Sequence, residues 1–263
     1  QKPEIISFAG GLPAPELFPV EELAKVASAV LEKEGRQLLQ YATTEGRPSL
    51  RQKIAARMQA KYHTAVAPDE ILITTGSQQC LDFTGKLFLD PGDVVLCESP
   101  SYLGALNAFN AYEPRFVEVP TDDGGLLPEE LDKILATTER CKFIYVIPDF
   151  QNPTGRTWSM ERRVKFMEVV NKHNLPVIED NPYGELRFEG EIFPSLKSMD
   201  TKGLVIFLGT FSKIFCPGLR LGWVAAKQEV LSEYVKIKQS ADLHTSNFDQ
   251  GLADAYMEYY DLD

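Results

Sequence analysis

At 263 residues, 44% hydrophobic and 25% charged, the chain has an ordinary globular composition and can bury a sizeable core without disulfide or metal staples. Its 27 basic and 38 acidic residues give a formal charge of −11, spread without long runs, which argues against a general nucleic-acid binder needing a basic face. The longest apolar runs, such as residues 143–148 and 204–209, are too short to span a bilayer.

Residues 1–40 hold the Gly/Pro-rich run Phe8-Ala9-Gly10-Gly11-Leu12-Pro13-Ala14-Pro15 and a helix near residues 20–34. Residues 71–75 read as a buried strand, and 77–89 as a helix closed by Asp90-Pro91-Gly92-Asp93. A strand over 94–97, a helix over 103–112, a short strand over 116–119 and a helix over 128–136 opened by Pro128 follow. Next come a strong strand over 142–147, a helix over 159–173, strands at 177–179, 205–208 and 221–225, and a helix over 228–240. Residues 255–263 keep helical periodicity, with no terminal domain of their own. This alternation predicts an α/β fold: three αβα layers around a mostly parallel sheet. Ligands of such sheets gather at the carboxyl ends of the strands.

Cys80, Cys97, Cys141 and Cys216 form no C-x-x-C pair and read as buried free thiols. His63, His173 and His244 lie far apart in sequence, so no metal site is expected. Gln1-Lys2-Pro3-Glu4 has neither an initiator Met nor a signal-peptide pattern, so the sequence reads as a trimmed, cytoplasmic protein.

The chemistry concentrates after the strands. In Gly209-Thr210-Phe211-Ser212-Lys213, Lys213 is placed to anchor an aldehyde, provided burial or nearby cations keep its amine neutral. Read singly, it is equally a surface lysine. Arg220, in Pro217-Gly218-Leu219-Arg220-Leu221-Gly222-Trp223, has the fork to grip a phosphate, and the hydroxyls of Thr210 and Ser212 can join it. An ordinary salt bridge is the alternative for Arg220. Thr75-Gly76-Ser77-Gln78-Gln79 joins a strand to a helix whose first amides, at Ser77 and Gln78, favour an anion, unless Ser77 only caps the helix.

In Glu179-Asp180-Asn181-Pro182-Tyr183, Asp180 can hold a pyridine nitrogen protonated and Tyr183 can donate to a ring oxygen, although Asp is also a common turn cap. Asn152, before the turn Pro153-Thr154-Gly155, can bond the same oxygen or merely form the turn. Tyr102, in Ser99-Pro100-Ser101-Tyr102, can stack on a flat heterocycle or be plain core. Each of these signals is weak. Together, at the ends of five strands of one sheet, they describe a site for one phosphorylated pyridine aldehyde.

With these motifs the sequence resembles the class I/II aminotransferases of pyridoxal-phosphate (PLP) fold type I. It is closest to the branch of 2-aminoadipate, aromatic and branched-chain aminotransferases. The likeness runs from about residue 5 to 250 and includes Gly10-Gly11-Leu12-Pro13-Ala14-Pro15, Tyr41-Ala42-Thr43-Thr44-Glu45-Gly46, Gln151-Asn152-Pro153-Thr154-Gly155 and Ser212-Lys213. The resemblance implies an aspartate aminotransferase-like large domain over residues 41–245. Residues 1–40 would precede it as an N-terminal segment, and 246–263 would begin a truncated C-terminal region.

It also implies the residue roles. Lys213 would form the Schiff base with pyridoxal 5'-phosphate and move the proton, Asp180 would pair with the pyridine nitrogen, and Tyr102 would stack on the ring. Asn152 and Tyr183 would hold the ring oxygen; Ser77, Gln78, Thr210, Ser212 and Arg220 would hold the phosphate. Tyr41 would reach the phosphate of the neighbouring subunit in a homodimer, and Gly11 and Asn152 would lie beside the substrate. The reaction implied is amino transfer from an α-amino acid to a 2-oxo acid such as 2-oxoglutarate. Similar proteins continue into a small domain whose Arg grips the substrate carboxylate, and no residue here matches that Arg. The alternatives are a sensor domain like that of MocR-type transcription regulators, or β-elimination or decarboxylation on the same scaffold.

Overall fold

Strands apolar on both faces need cover from two sides, and the computed structural model, which describes residues 10–263, provides it. In chain order the elements are α1 (Val20–Leu38), α2 (Pro48–Tyr62), β1 (Ile71–Thr75), α3 (Ser77–Phe88), β2 (Val94–Glu98), α4 (Leu103–Asn110) and β3 (Arg115–Val119). A small hairpin, β4 (Thr121–Asp122) and β5 (Gly125–Leu126), leads to α5 (Pro128–Leu135), β6 (Cys141–Val146), α6 (Met160–His173) and β7 (Val177–Asp180). Then come β8 (Val205–Thr210), β9 (Leu221–Ala225), α7 (Gln228–Ala241) and α8 (Asn247–Tyr259).

Seven strands form one sheet in the order β1-β9-β8-β7-β6-β2-β3. All run parallel except β9, which is antiparallel to both its neighbours. The expected mostly parallel αβα fold therefore forms. Alternate side chains divide between the faces, as the two-residue strand period requires. Leu72, Val95, Phe143, Tyr145, Ile178 and Val224 join the core shared with α3, α4 and α7. On the other face Val94, Leu96, Ile144, Val146 and Val177 pack with α5 and α6. Ile71, Ile73, Phe207 and Trp223 pack with α1, α2 and α8.

Three features differ from the sequence reading. The helix α2 and the β4–β5 hairpin were not among the expected elements, and helical periodicity overreached at the C-terminal end. Helix α8 stops at Tyr259, and Tyr260 is extended (φ −135°, ψ 155°). Residues 1–9, including Phe8, Ala9 and the four N-terminal residues, lie outside the described residues. Among the described residues no helix is long and apolar enough to cross a membrane.

Candidate active site

The reversed β9 determines where the chemistry gathers. Because it is antiparallel, its first residue lies at the sheet edge where the parallel strands end, with Leu221 opposite Thr75 and Gly222 opposite Thr210. Arg220, one residue before β9, is thereby brought beside the loops after β1 and β8. A cavity of about 370 Å³ opens at this edge, within the usual range for small-molecule sites. Its lining contains Gly11, Ser77, Gln78, Tyr102, Asn152, Asp180, Tyr183, Thr210, Ser212, Lys213 and Arg220. Of the residues singled out from sequence, only Tyr41 is not in this lining.

One end of the cavity is cationic and rich in donors. Gly76 is the N-cap of α3, so Ser77 is the first helical residue and not the cap, and no side chain caps this helix. The first N–H groups of a helix have no partner within it. Arg220 sits in the left-handed region (φ 53°), and its Nη1 lies 3.5 Å from Ser212 Oγ and 3.2 Å from Pro217 O. A Cβ on Gly76 would overlap Arg220 Nη2 and lie 3.0 Å from its Cζ, so the absent side chain makes room for the guanidinium. Gly222 is equally constrained: its Cβ would come 2.7 Å from Gly76 C and Ser77 N. Gln78 turns its side chain aside, donating from Nε2 to Gly104 O at 2.9 Å. Thr210 Oγ1 accepts from Ser212 N at 3.0 Å, which shapes the turn leading to Lys213.

Other residues of the lining suit an aromatic ring. Asp180, at the end of β7, is 3% exposed. Its Oδ2 accepts from Tyr145 Oη at 2.7 Å, while its Oδ1 is buried with no partner. Burial pushes the Asp180 carboxyl up to about 6, and the Tyr145 bond offsets part of that rise. Asn152 Nδ2 donates to Tyr183 Oη at 3.3 Å, so these two polar groups already face a shared point. Burial raises the Tyr102 and Tyr183 phenols above their ordinary value, so both remain donors at neutral pH. Lys213 Nζ donates to Gly11 O at 2.6 Å, bringing the N-terminal segment over the amine, and burial lowers the lysine's pKa.

The profile of "Aminotransferase class I and II" matches residues 9–258. The chain belongs to this family. It is 46% identical over 259 residues to aromatic-amino-acid aminotransferase 1 of Thermococcus litoralis, covering 97% of this chain and 62% of that protein. It superposes with a TM-score of 0.91, at 44% identity, on α-aminoadipate aminotransferase LysN of Thermus thermophilus complexed with N-(5'-phosphopyridoxyl)-L-leucine. That match covers 97% of this chain and 64% of the solved one. An HTH-type transcriptional regulator of Bacillus subtilis, YisV, is 33% identical over 264 residues, 98% of this chain and 53% of the regulator. The chain thus spans less than two thirds of the length of these aminotransferases.

Behind the cavity of this family member lie supports that sequence reading missed. The buried Lys238 bonds Gln79 Oε1 at 2.8 Å and Asp242 Oδ1 at 2.9 Å, and Gln79 Oε1 also accepts from Thr75 N at 2.9 Å. This network braces the turn before α3. The fully buried Arg163 pairs with Asp149 at 2.7 Å, and Asp149 accepts from Asn181 Nδ2 at 3.3 Å. The loops carrying Asn152 and Asp180 are thereby tied together. Tyr41 lies elsewhere, 78% exposed, with its ring edge-on to His244 at 6.0 Å.

Proposed function

We propose that this chain binds pyridoxal 5'-phosphate and that its protein moves an amino group between an α-amino acid and a 2-oxo acid. The carrying observation is that Lys213 and Arg220, from the two ends of the β8–β9 connection, and Asp180, at the end of β7, line one cavity while Asp180 Oδ1 is buried there without a partner. The residues fit this cofactor. Arg220, Ser212, Thr210 and the amides opening α3 form a set for a phosphate dianion. The orphaned Asp180 oxygen suits a pyridine N–H, Asn152 and Tyr183 suit a ring oxygen, and Tyr102 supplies a flat stacking surface.

When bound, PLP supplies an aldehyde that condenses with amines and a ring that draws electrons from the bonds at the substrate's α-carbon. The protein's part is placement and proton transfer. Lys213, freed from Gly11 O and biased toward its neutral form by burial, would hold the aldehyde until the substrate's amine displaces it, and the released amine would then be the base for the α-carbon proton. Asp180 would hold the ring nitrogen charged, and Gly11 and Asn152, which line the same cavity, would border the substrate. The family relationship supports this reading, and 2-oxoglutarate is the proposed acceptor. In a homodimer the exposed Tyr41 would reach the partner's phosphate; light scattering of the PLP-loaded protein reads that state.

The test is the visible spectrum during PLP titration, followed by NMR detection of glutamate formed from a candidate amino acid and 2-oxoglutarate. A new absorption band that Lys213→Ala abolishes, with turnover, is expected. An unchanged, borohydride-trappable adduct in the variant rejects Lys213 as anchor. The similarity to a regulator favours a second reading, a PLP-binding sensor, for which the band would form without turnover.

A further inference from the structure

Resting on the proposed PLP site, we infer that Tyr145 is a positioning residue that fixes both the orientation and the charge of Asp180. Register brings the two together. Tyr145 on β6 pairs with Ile178 on β7, and Asp180 lies two residues further along β7 on the same face. Two residues of strand rise by about 6.6 Å and neighbouring strands lie about 4.8 Å apart, within reach of a tyrosine side chain. The contact is a 2.7 Å bond from Tyr145 Oη to Asp180 Oδ2, between side chains that are 0% and 3% exposed.

A carboxylate turns freely about its terminal torsion, with two equivalent oxygens. Tethering Oδ2 removes that freedom and leaves Oδ1 as the one oxygen available to the cavity, where it has no partner. The same bond favours the ionised carboxylate against its burial. Tyr102, Tyr183 and Cys80 are the other titratable groups whose charge couples to Asp180. Among the described residues Tyr145 alone donates a hydrogen bond to it. Without the phenol, Asp180 would be a freer and more basic acid and would hold a pyridine nitrogen charged less firmly.

The experiment is ¹⁵N NMR of the pyridine nitrogen in protein loaded with ¹⁵N-labelled PLP, comparing wild type with Tyr145→Phe across pH. The variant is expected to retain PLP, because the phosphate cradle is intact. Its pyridine nitrogen should bind the proton about tenfold less tightly, the scale of one charge-assisted hydrogen bond. Replacing Tyr145 with 3-fluorotyrosine, a stronger donor that keeps the hydroxyl, should shift the titration the opposite way and covers failure of Y145F to fold. If wild type binds PLP and neither substitution moves the titration, the role of Tyr145 is overturned while the PLP site stands. If wild type binds no PLP, both are overturned.

Discussion

Adding one methyl group at residue 76 should damage the cofactor site in a calculable way. Gly76 has φ 74° and ψ 164°, a region open essentially only to glycine, so Gly76→Ala should cost about 1–3 kcal/mol in folding stability. The new Cβ also overlaps Arg220 Nη2, and the guanidinium must leave its place above the start of α3. A hydrogen bond to a charged group contributes about 1.5–3 kcal/mol, so losing Arg220 should weaken phosphate binding roughly tenfold to a hundredfold. Urea unfolding of the cofactor-free protein reads the first effect and absorbance titration with PLP reads the second. Pyridoxal, which lacks the phosphate, is the control; its affinity should be the same in wild type and variant. Wild-type stability together with wild-type PLP affinity in G76A would refute the packing of Arg220 on Gly76.

Two further outcomes follow from buried charges. Burial pushes Glu98 up from 4.5 to about 7, only partly offset by the Trp158 Nε1 bond at 3.2 Å. The folded state therefore holds this proton to higher pH than the unfolded chain, a stabilisation present below about pH 4.5 and lost as pH rises through 7. Glu98→Gln, which stays neutral, should match wild type near pH 4.5 and exceed it by about 3 kcal/mol at pH 8 in urea unfolding, and a pH-independent difference would reject the assignment. Arg163→Met should cost about 3 kcal/mol, because it leaves buried Asp149 only the longer Arg187 contact at 3.5 Å as a charge partner, and the loss should largely vanish in the double variant with Asp149→Asn; equal losses in both would show that the charge is not the cause.

The site was legible in the sequence where local chemistry marks it. Short apolar runs ending in Gly, Pro, Asn or Asp announce strands and the turns after them. Thus Ser77, Asn152, Asp180 and Lys213 can each be placed at or after a strand end from the sequence alone. Helix α2 was missed although Leu50, Ile54, Met58 and Tyr62 recur every four residues and are all buried; the charged and polar residues between them masked the spacing. The supports were not legible, because they depend on register and packing between distant segments. Tyr145 reads as one more apolar strand position until β7 is laid beside it. Lys238 reads as a solvated lysine until α7 packs against α3 and closes it over Gln79 and Asp242. Arg220's placement needed the antiparallel direction of β9, which no run of residues encodes locally.

The central claim is that one lysine amine closes the cavity that Arg220 and Asp180 help to form. Borohydride reduction of the PLP-loaded protein, followed by proteolysis and mass spectrometry, tests it most directly. A pyridoxyl group on the peptide containing Lys213, and on no other lysine, is the expected result. A modified peptide lacking residue 213, or no stable adduct at saturating PLP, would contradict it.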